Sequence, residues 1–483
     1  MSDTSREPGS RVVLPEQVSV VNVGLPMFGE ALRAQGVRVV DVAWRIPAGG
    51  DEALVQALTQ LYGPAAATVE AANQQVIRRL DEAAPAWVAV RPAREVVPGM
   101  GERTILHPGP PLAWDRFCDP LRRSAHATVI AEGWAASPDE AAALIGRGDV
   151  ELAPANHHSA ALPMATTLGP SAPVLVVQNE QGGNTAYAPL NQGSGRWPWL
   201  GADTNEAVAH LHWLRAVAGP LLNETLRNGD PIDVFAIAAQ GVQMGDDIHM
   251  RLQASTNLLI RALLPRLVAL GDSRRTELAR FLSENYLFFL NLAIAAAKAT
   301  TDWAAQVPDS TIVTGMARNG TTFGIRLGAT GDRWFEAPAP PVEDALYRGD
   351  FGPADAAPDI GDSAIIELVG LGGAAAAASP AVAGFVGGRM SDAVARTQEV
   401  ARVCAARSSR FKIPQLDFTG TPLGLDVRKV VELEIVPAIT TGILDATDGR
   451  GQVGAGLARA PLECFQQAIL ALSAQHPYRD HRA

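Results

Sequence analysis

The sequence predicts an α/β multidomain protein in which two α/β domains flank a helical domain, with a small N-terminal βαβ unit. Strand-like runs alternate with helical patterns before residue 203, as in layered α/β folds. Three long helical patterns then follow one another up to residue 308, and β-branched runs return from Ser310. The length of 483 residues also suits about three domains, at roughly 150 residues each.

The N-terminal unit is assigned to residues 1–66. Residues 18–23 have the pattern of a buried strand, 28–35 that of a short helix ended by Gly36, and 37–44 that of a second strand. A helix is expected over 51–62. This order predicts a βαβ unit followed by a linking helix.

The remaining boundaries are placed where the pattern changes, giving a first α/β domain at 67–202, a helical domain at 203–308 and a second α/β domain at 309–483. Helices are predicted over 68–82, 120–134, 138–146, 205–227, 231–268, 274–303, 392–406 and 461–474. The longest of these runs, 231–268, is expected to break near Gly241 or Gly245. Strands are predicted over 87–90, 104–106, 150–152, 173–177, 311–314, 323–326 and 333–335, with a proline-rich acidic loop over 337–358.

Composition narrows the class of protein. A net charge of −11 argues against a nucleic-acid surface, which needs a basic face. The 3 cysteines are far apart and lack zinc-site spacing, so neither a metal nor another cofactor is predicted. The polar N-terminus lacks a signal-peptide pattern, 286–297 is too short for a membrane span, and 368–388 is mostly Ala and Gly with Pro380. We therefore expect a cytoplasmic protein.

Four turns set a charged, amide or imidazole side chain beside glycine. They are His107-Pro108-Gly109-Pro110-Pro111, Glu180-Gln181-Gly182-Gly183-Asn184, Arg318-Asn319-Gly320-Thr321 and Asp359-Ile360-Gly361-Asp362-Ser363. Glycine lets backbone N–H groups turn toward a bound group, and the neighbouring side chains can then orient it. If these turns converge, they predict a site for a small anion or an acyl group.

Histidines mark two candidate positions. His107 follows a predicted strand, at the edge where open α/β sheets bind ligands; the alternative is a rigid turn with a surface histidine. His157 and His158 end a strand-like run, where adjacent side chains point to opposite faces. We expect one of these two to face a site and the other to pack.

A third histidine lies in the helical domain. Asp246 and His249 are three residues apart and would share one face of a helix. The carboxylate would then orient His249 as an acid or base. A metal half-site and a surface ion pair around Arg251 are the alternatives.

The last two turns have ordinary structural explanations as well. Asn319-Gly320 is typical of a type I′ hairpin turn, although Arg318 beside it could hold a carboxylate or phosphate with two hydrogen bonds. Asp362 and Ser363 precede an apolar run and could cap a helix, whose N-terminus would favour an anion. The GxGxxG spacing at 449–454 follows no clear strand and is weak support for a nucleotide site.

Taken together, these segments resemble the YlbE-like family, whose members occur beside FdrA-type proteins in bacterial purine and allantoin catabolism. The resemblance runs from about residue 68 to 470. Its matching features include the His107 turn, His157-His158, Gly183-Asn184, Met244-Gly245-Asp246, His249, Phe288-Phe289-Leu290-Asn291-Leu292, Arg318-Asn319-Gly320 and 358–364. The resemblance implies an oxamate carbamoyltransferase subunit that acts with FdrA-like and other subunits in an oligomer.

The leading hypothesis is therefore a carbamoyltransferase, or a subunit of one, that moves a carbamoyl group between an N-carbamoyl acid such as oxalurate and phosphate. His107 or His249, the latter oriented by Asp246, would move protons, and amides near Gly361 would stabilise the oxyanion. The substrate-binding candidates are Arg318, Asn319, Gly320, Gly361, Asp362, Ser363, His157 and Asn184. An amidohydrolase and a non-catalytic ligand-binding subunit are the alternatives.

Overall fold

The computed structural model describes residues 18–23, 25–42, 45–384 and 388–476, and they form two compact units that divide after Gly50. In the first unit the strands β1 (Ser19–Val23) and β2 (Arg38–Val42) are parallel and joined by helix α1 (Pro26–Arg33). The predicted βαβ unit is confirmed. The end of its second predicted strand, at 43–44, lies outside the described residues.

The second unit begins at Asp51. Its helices are α2 (Glu52–Tyr62), α3 (Ala66–Glu82), α4 (Ala93–Val96), α5 (Asp119–Ala131), α6 (Pro138–Gly146), α7 (Asn205–Trp213), α8 (Gly219–Arg227), α9 (Val234–Gln243), α10 (Gln253–Val268), α11 (Arg275–Glu284), α12 (Phe288–Ala304), α13 (Pro380–Ala383), α14 (Met390–Val403), α15 (Val427–Leu433) and α16 (Leu462–Gln475). Its strands are β3 (Pro85–Pro92), β4 (Thr104–His107), β5 (Glu151–Pro154), β6 (Pro173–Asn179), β7 (Asn184–Pro189), β8 (Ile232–Asp233), β9 (Val313–Asn319), β10 (Thr322–Leu327), β11 (Phe335–Pro338), β12 (Val342–Tyr347), β13 (Ile360–Gly361), β14 (Cys404–Ile413), β15 (Thr419–Leu425), β16 (Ala438–Leu444) and β17 (Gln452–Arg459).

The strands of the second unit form several small sheets, which confirms the predicted α/β class. One antiparallel sheet has the order β7-β6-β3-β8 and another the order β11-β10-β9-β13. A third has the order β12-β17-β16, β14 pairs with β15, and the short β4 and β5 run parallel. The domain boundaries predicted at 67, 203 and 309 stay predictions.

Helix α12 forms the centre of the second unit. Every residue from 288 to 301 is buried, including Asn291 and Lys298. The helix packs against β6 and β7 and against the 3-10 helix Asp362–Val369. A helix that is apolar all round belongs in a core. Among the described residues, no helix combines the length and the apolarity needed to cross a membrane.

Several predicted elements differ from the structure. The 274–303 pattern, predicted as one helix, divides into α11 and α12. The break expected near Gly241 or Gly245 within 231–268 is confirmed, since α9 ends at Gln243 and a non-helical loop separates it from α10. The loop predicted over 337–358 contains β12, which pairs with β17 about a hundred residues later. The GxGxxG pattern at 449–454 covers the turn between β16 and β17 and the start of β17, not a strand-to-helix turn.

Candidate functional site

Three of the four glycine turns meet in the second unit. The Gly109 amide donates to Asp362 Oδ1 at 2.8 Å, and Asn319 Nδ2 donates to the Pro110 carbonyl at 3.1 Å. Gly109 has a φ of 80°, and a Cβ there would lie 2.7 Å from Asn319 Cβ. Only glycine therefore permits this approach. The three turns therefore do converge as predicted, and they do so by packing directly against one another.

Arg318 lies at the centre of this junction and is fully buried. Its Nε and Nη2 atoms donate to the two Asp359 oxygens at 2.7 and 2.8 Å. The other acceptors are the Gly361 carbonyl at 2.6 Å, Thr441 Oγ1 at 3.1 Å and Ser363 Oγ at 3.2 Å. We call these five residues the arginine cluster. A guanidinium has five N–H donors, and here each has a protein acceptor.

The neighbouring turn residues also have their hydrogen bonds and packing contacts within the protein. Asn319 is buried, and its Oδ1 accepts from the Thr321 and Thr322 amides at 3.1 and 2.7 Å. The strands leave Gly320 and Thr321 as the central residues of the turn, and only Gly320 has a positive φ. The hairpin is therefore confirmed but is not type I′, which needs positive φ at both central residues. A Cβ on Gly320 would lie 2.5 Å from Cys118 Sγ. Burial raises the pKa of that thiol to about 11.

Asp362 does not cap a helix as predicted. The apolar run after it is a 3-10 helix, Asp362–Val369, with Gly361 at its N-cap position. Both Asp362 oxygens instead accept backbone amides, from Gly109 and from Leu162, each at 2.8 Å. Burial raises the pKa of Asp362 to about 7, against the opposing effect of these two hydrogen bonds. The Asp362 amide donates to the Leu162 carbonyl at 2.7 Å, so it is not a free oxyanion donor.

His107 is not presented to solvent, contrary to the prediction. It is 1% exposed, its Nδ1 lies 2.9 Å from the Pro108 carbonyl, and Phe117 packs edge-on against its ring. Burial lowers the pKa of His107 to about 4, so the ring is neutral at physiological pH. The stiff turn holds the imidazole inside the protein.

The predicted pairing of Asp246 with His249 is also wrong, because residues 244–252 do not form a helix. Asp246 is buried and accepts from the Ser255 amide and hydroxyl at 2.7 and 2.9 Å. It also accepts from Arg251 Nη1 at 2.7 Å. Asp246 therefore stabilises the start of α10 instead of orienting the histidine.

The partner of His249 is Glu367, on the 3-10 helix. His249 Nδ1 lies 3.0 Å from Glu367 Oε1, and both side chains are almost fully buried. Asp247 holds the loop, since its Oδ1 accepts three successive amides, from His249 to Arg251, at 2.7–3.2 Å. Thr440 Oγ1 donates to its other oxygen at 3.1 Å. Sequence reasoning missed the roles of Glu367 and Asp247. The only signal for Asp247 is that it stands beside Asp246 in an acidic doublet, and Glu367 has no such signal.

His249 and Ser363 line a cavity of about 290 Å³, here called the histidine cavity. Tyr286, Tyr347 and Gln452 supply further polar groups, and the other lining residues are Met164, Trp199, Leu200, Met250, Leu287, Leu290, Leu346, Arg348, Gly442, Gly454 and Ala455. Because Ser363 Oγ accepts from Arg318, the arginine cluster supports this wall from behind. Apolar surface with a few converging polar groups is typical of a small-molecule site.

A second recess of about 270 Å³ shares Arg348, Gln452 and other residues with the histidine cavity. Arg196 and Arg450 complete its basic lining. Arg450 is ion-paired with Asp355 at 2.8 Å and with Asp445 at 2.7 Å. In the described part of the chain, no carboxylate lies within ion-pairing distance of Arg196 or Arg348. Both guanidinium groups are exposed and can bind an anion.

His157 and Asn184 line a separate cavity of about 350 Å³, which we call the lysine cavity after Lys298. The two histidines lie in a 3-10 turn, Ala155–His158, and not on a strand. His157 faces the cavity while His158 Nδ1 lies 2.7 Å from the Pro98 carbonyl, so the two diverge as expected. The Asn184 side chain is already hydrogen-bonded at both ends: its Oδ1 accepts from Asn179 Nδ2 at 3.1 Å, and its Nδ2 donates to the Ala299 carbonyl at 2.8 Å.

Comparison with known proteins identifies the group. Residues 150–363 match a family model described as oxamate carbamoyltransferase subunit AllG. The chain is also 42% identical over 411 residues to the oxamate carbamoyltransferase subunit AllG of Escherichia coli (strain K12), covering 84% of this chain and 98% of that protein. The chain belongs to the AllG family. The sequence-based resemblance to an oxamate carbamoyltransferase subunit family is thereby confirmed.

Two further relatives extend the likeness over most of the chain. The protein YahG of Escherichia coli (strain K12) is 35% identical over 464 residues, covering 95% of this chain and 98% of that protein. A crystal structure of a conserved protein of unknown function from Enterococcus faecalis V583 has a TM-score of 0.83 and 35% identity. It is matched over 85% of this chain and 99% of its own. The residues matched by the AllG family model include His249, Arg348 and Ser363, whereas Glu367 lies just beyond the matched range.

Proposed function

We propose that this AllG family member carries the site at which a carbamoyl group passes between an N-carbamoyl acid and phosphate. The expected acid is oxalurate, and the products of its cleavage are oxamate and carbamoyl phosphate. The observation that carries the proposal is that His249, paired with Glu367, lines the same cavity as Arg348, and that this cavity shares residues with the recess lined by Arg196. This supports the proposal because a residue that could carry a proton lies near two guanidinium groups that have no carboxylate partner among the described residues.

The reaction requires one bond to form and one to break. A phosphate oxygen attacks the ureido carbonyl carbon, the C–N bond to the oxamate nitrogen breaks, and that nitrogen takes a proton. Since Glu367 occupies Nδ1 of His249, Nε2 is the ring nitrogen left for the substrate. His249 would deliver the proton to the leaving nitrogen and take one back in the reverse direction.

The anionic groups are assigned to Arg348 and Arg196 instead of Arg318. Arg318 has no N–H left for a ligand, so we give it a positioning role behind Ser363. The Ser363 hydroxyl accepts from Arg318, and its own hydrogen is therefore free to point at the carbonyl oxygen of the substrate. A hydrogen bond from a polarised hydroxyl would stabilise the oxyanion that forms there.

The chain is proposed to work with an FdrA-like partner subunit, in an oligomeric cytoplasmic complex of purine and allantoin nitrogen catabolism. The description of the AllG family as a subunit supports this, because a subunit implies at least one other chain. The substrates are small ureido acids and phosphate.

The test is an activity assay on the chain co-purified with its FdrA-like partner. Phosphate-dependent formation of carbamoyl phosphate from oxalurate should fall about a hundredfold or more in His249→Gln, the size expected for loss of a general acid. His212→Gln is the matched control, since His212 is exposed and its Nε2 lies 3.1 Å from the Ala131 carbonyl, outside both cavities.

The alternatives give different results in the same assay. Turnover that is independent of phosphate would indicate an amidohydrolase. A His249→Gln complex with full activity would overturn the assigned site and favour a non-catalytic, ligand-binding subunit.

A further inference from the structure

Lys298 on α12 is a buried cation at the edge of the lysine cavity. Its side chain is 3% exposed, and its Nζ donates to the Asn156 carbonyl at 3.0 Å and to Asp302 Oδ1 at 2.6 Å. An ammonium group carries three N–H donors, so one remains beyond these two bonds. A buried lysine keeps its charge only where partners replace the water that it has lost.

Two residues that line this cavity each carry a buried donor with no acceptor among the described residues. Asn156 is 5% exposed, and its buried Nδ2 has no hydrogen-bond partner among the described residues. The buried Nε of Arg326 has none in that part of the chain either. A buried donor without a partner costs about 1–3 kcal/mol, and most such groups in native proteins are satisfied. Two such groups on residues that line one cavity point to an acceptor that binds there.

His157 adds a further donor at the same place. Trp334 Nε1 donates to His157 Nε2 at 3.0 Å, so a neutral ring carries its proton on Nδ1. Burial lowers the pKa of His157, and the charges of Arg326 and Lys298 lower it further. Burial, the larger cause, and these nearby cations therefore both disfavour the protonated ring.

We propose that the lysine cavity is a binding site for a small oxyanion, a phosphate or a carboxylate, held by Asn156, Arg326 and Lys298. Its volume of about 350 Å³ suits a compact ligand. Asp302 and Asp332 balance the charges of Lys298 and Arg326, so recognition depends on unused N–H donors more than on net charge.

This site is distinct from the proposed reaction centre. The residues that line the lysine cavity include none of those that line the histidine cavity. The proposal therefore does not depend on the carbamoyltransferase assignment, and a ligand could bind here whether or not His249 is catalytic.

The test is calorimetric titration of the purified full chain with inorganic phosphate and, separately, with acetate, at constant ionic strength in chloride. Each titration is repeated in an Arg196→Gln/Arg348→Gln background, in which the anion contacts proposed for the reaction centre are absent. Binding of one anion and not the other identifies the phosphate or the carboxylate as the natural class. Asn156→Ala and Arg326→Gln should each weaken binding about tenfold or more, as expected for loss of a hydrogen bond to a charged group. Asn156→Ala preserves the backbone carbonyl that Lys298 uses.

Arg333→Gln is the matched control, because Arg333 belongs to the same segment but is exposed and does not line the cavity. It should bind as the wild type does. Equal binding by all variants, or no binding of either anion by the wild type, would overturn the proposal. If a variant fails to fold, wild-type crystals soaked in phosphate decide: density for the anion between Asn156 and Arg326 supports the site, and water alone refutes it.

Discussion

His249 Nδ1 lies 3.0 Å from Glu367 Oε1, although the two residues are 118 positions apart in the chain. Both side chains are 4% exposed, and in the described part of the chain Glu367 Oε2 has no hydrogen-bond partner. A carboxylate on Nδ1 fixes the tautomer of the ring and stabilises its protonated form. In the proposed reaction, the remaining ring nitrogen would exchange protons with a ligand in the histidine cavity.

The first prediction concerns this carboxylate. Glu367→Gln should lower kcat of the reconstituted complex about tenfold to a hundredfold, because an amide can bond to Nδ1 but cannot stabilise an imidazolium. The pH–rate profile should also shift, an effect that a purely structural role would not produce. Glu180→Gln, a change at an exposed position, should leave both unchanged. Wild-type kcat and pH profile in Glu367→Gln would contradict the assigned role.

The second prediction concerns the exposed arginine at the rim of the histidine cavity. Arg348→Gln should raise KM for oxalurate or for phosphate about tenfold with little change in kcat, because the contact is made equally before and during the reaction. Steady-state titration of each substrate in turn shows which anion the guanidinium holds. Arg147→Gln, at an exposed position, should alter neither KM. A loss confined to kcat would instead place Arg348 at the reacting atoms.

The third prediction is a pH dependence of stability that arises from His107. Its folded-state pKa of about 4 lies below the value of about 6.5 expected in the unfolded chain. Between these values the unfolded state binds more protons, so stability present above pH 6.5 is lost as the pH falls toward 4. Relative to His107→Asn, the wild type should lose about 2 kcal/mol more between pH 7 and pH 4.5.

Urea denaturation at the two pH values measures this difference. Asn can keep a donor near the Pro108 carbonyl, so the variant removes the titration with little change of shape. His212→Asn, which alters an exposed ring, should retain the wild-type dependence. Identical pH dependence in His107→Asn and the wild type would show that the buried ring does not titrate as described.

The fourth prediction concerns the arginine cluster. Asp359→Asn should destabilise the protein by about 3–5 kcal/mol, because it leaves the fully buried Arg318 without its counter-charge. The exposed pair Arg147–Asp149 is the control, and Asp149→Asn should cost less than about 1 kcal/mol. Both are measured by denaturant unfolding. The double variant Arg318→Met/Asp359→Leu should lose less than Asp359→Asn; a larger loss would contradict the view that the unpaired charge dominates.

Local sequence predicted much of the fold. The helix expected over 138–146 is α6, and the one expected over 51–62 is α2, capped by Asp51. Proline, capping residues and helical periodicity lie within a few positions of one another, so they can be detected without the fold. β12 escaped prediction because its pairing with β17 depends on residues about a hundred positions away.

The same difference explains the candidate site. The glycine turns and His249 could be found in the sequence because each is a local pattern, and three of the four turns do meet in the structure. Nothing local shows that Arg318 has all its donors occupied, since the acceptors come from Asp359, Ser363 and Thr441. The helical spacing of Asp246 and His249 misled because the loop between α9 and α10 is held by long-range contacts such as Thr440 to Asp247.

By itself the sequence determined the α/β class, most of the helices, the family and the positions of the glycine turns. Only the tertiary structure decided which side chains face a cavity and which are buried: it withdrew His107 and Arg318 from solvent and paired His249 with Glu367. The physical reason is that secondary structure and turns depend on neighbours in the chain. Exposure, charge pairing and unused hydrogen-bonding capacity depend on residues that only folding brings together.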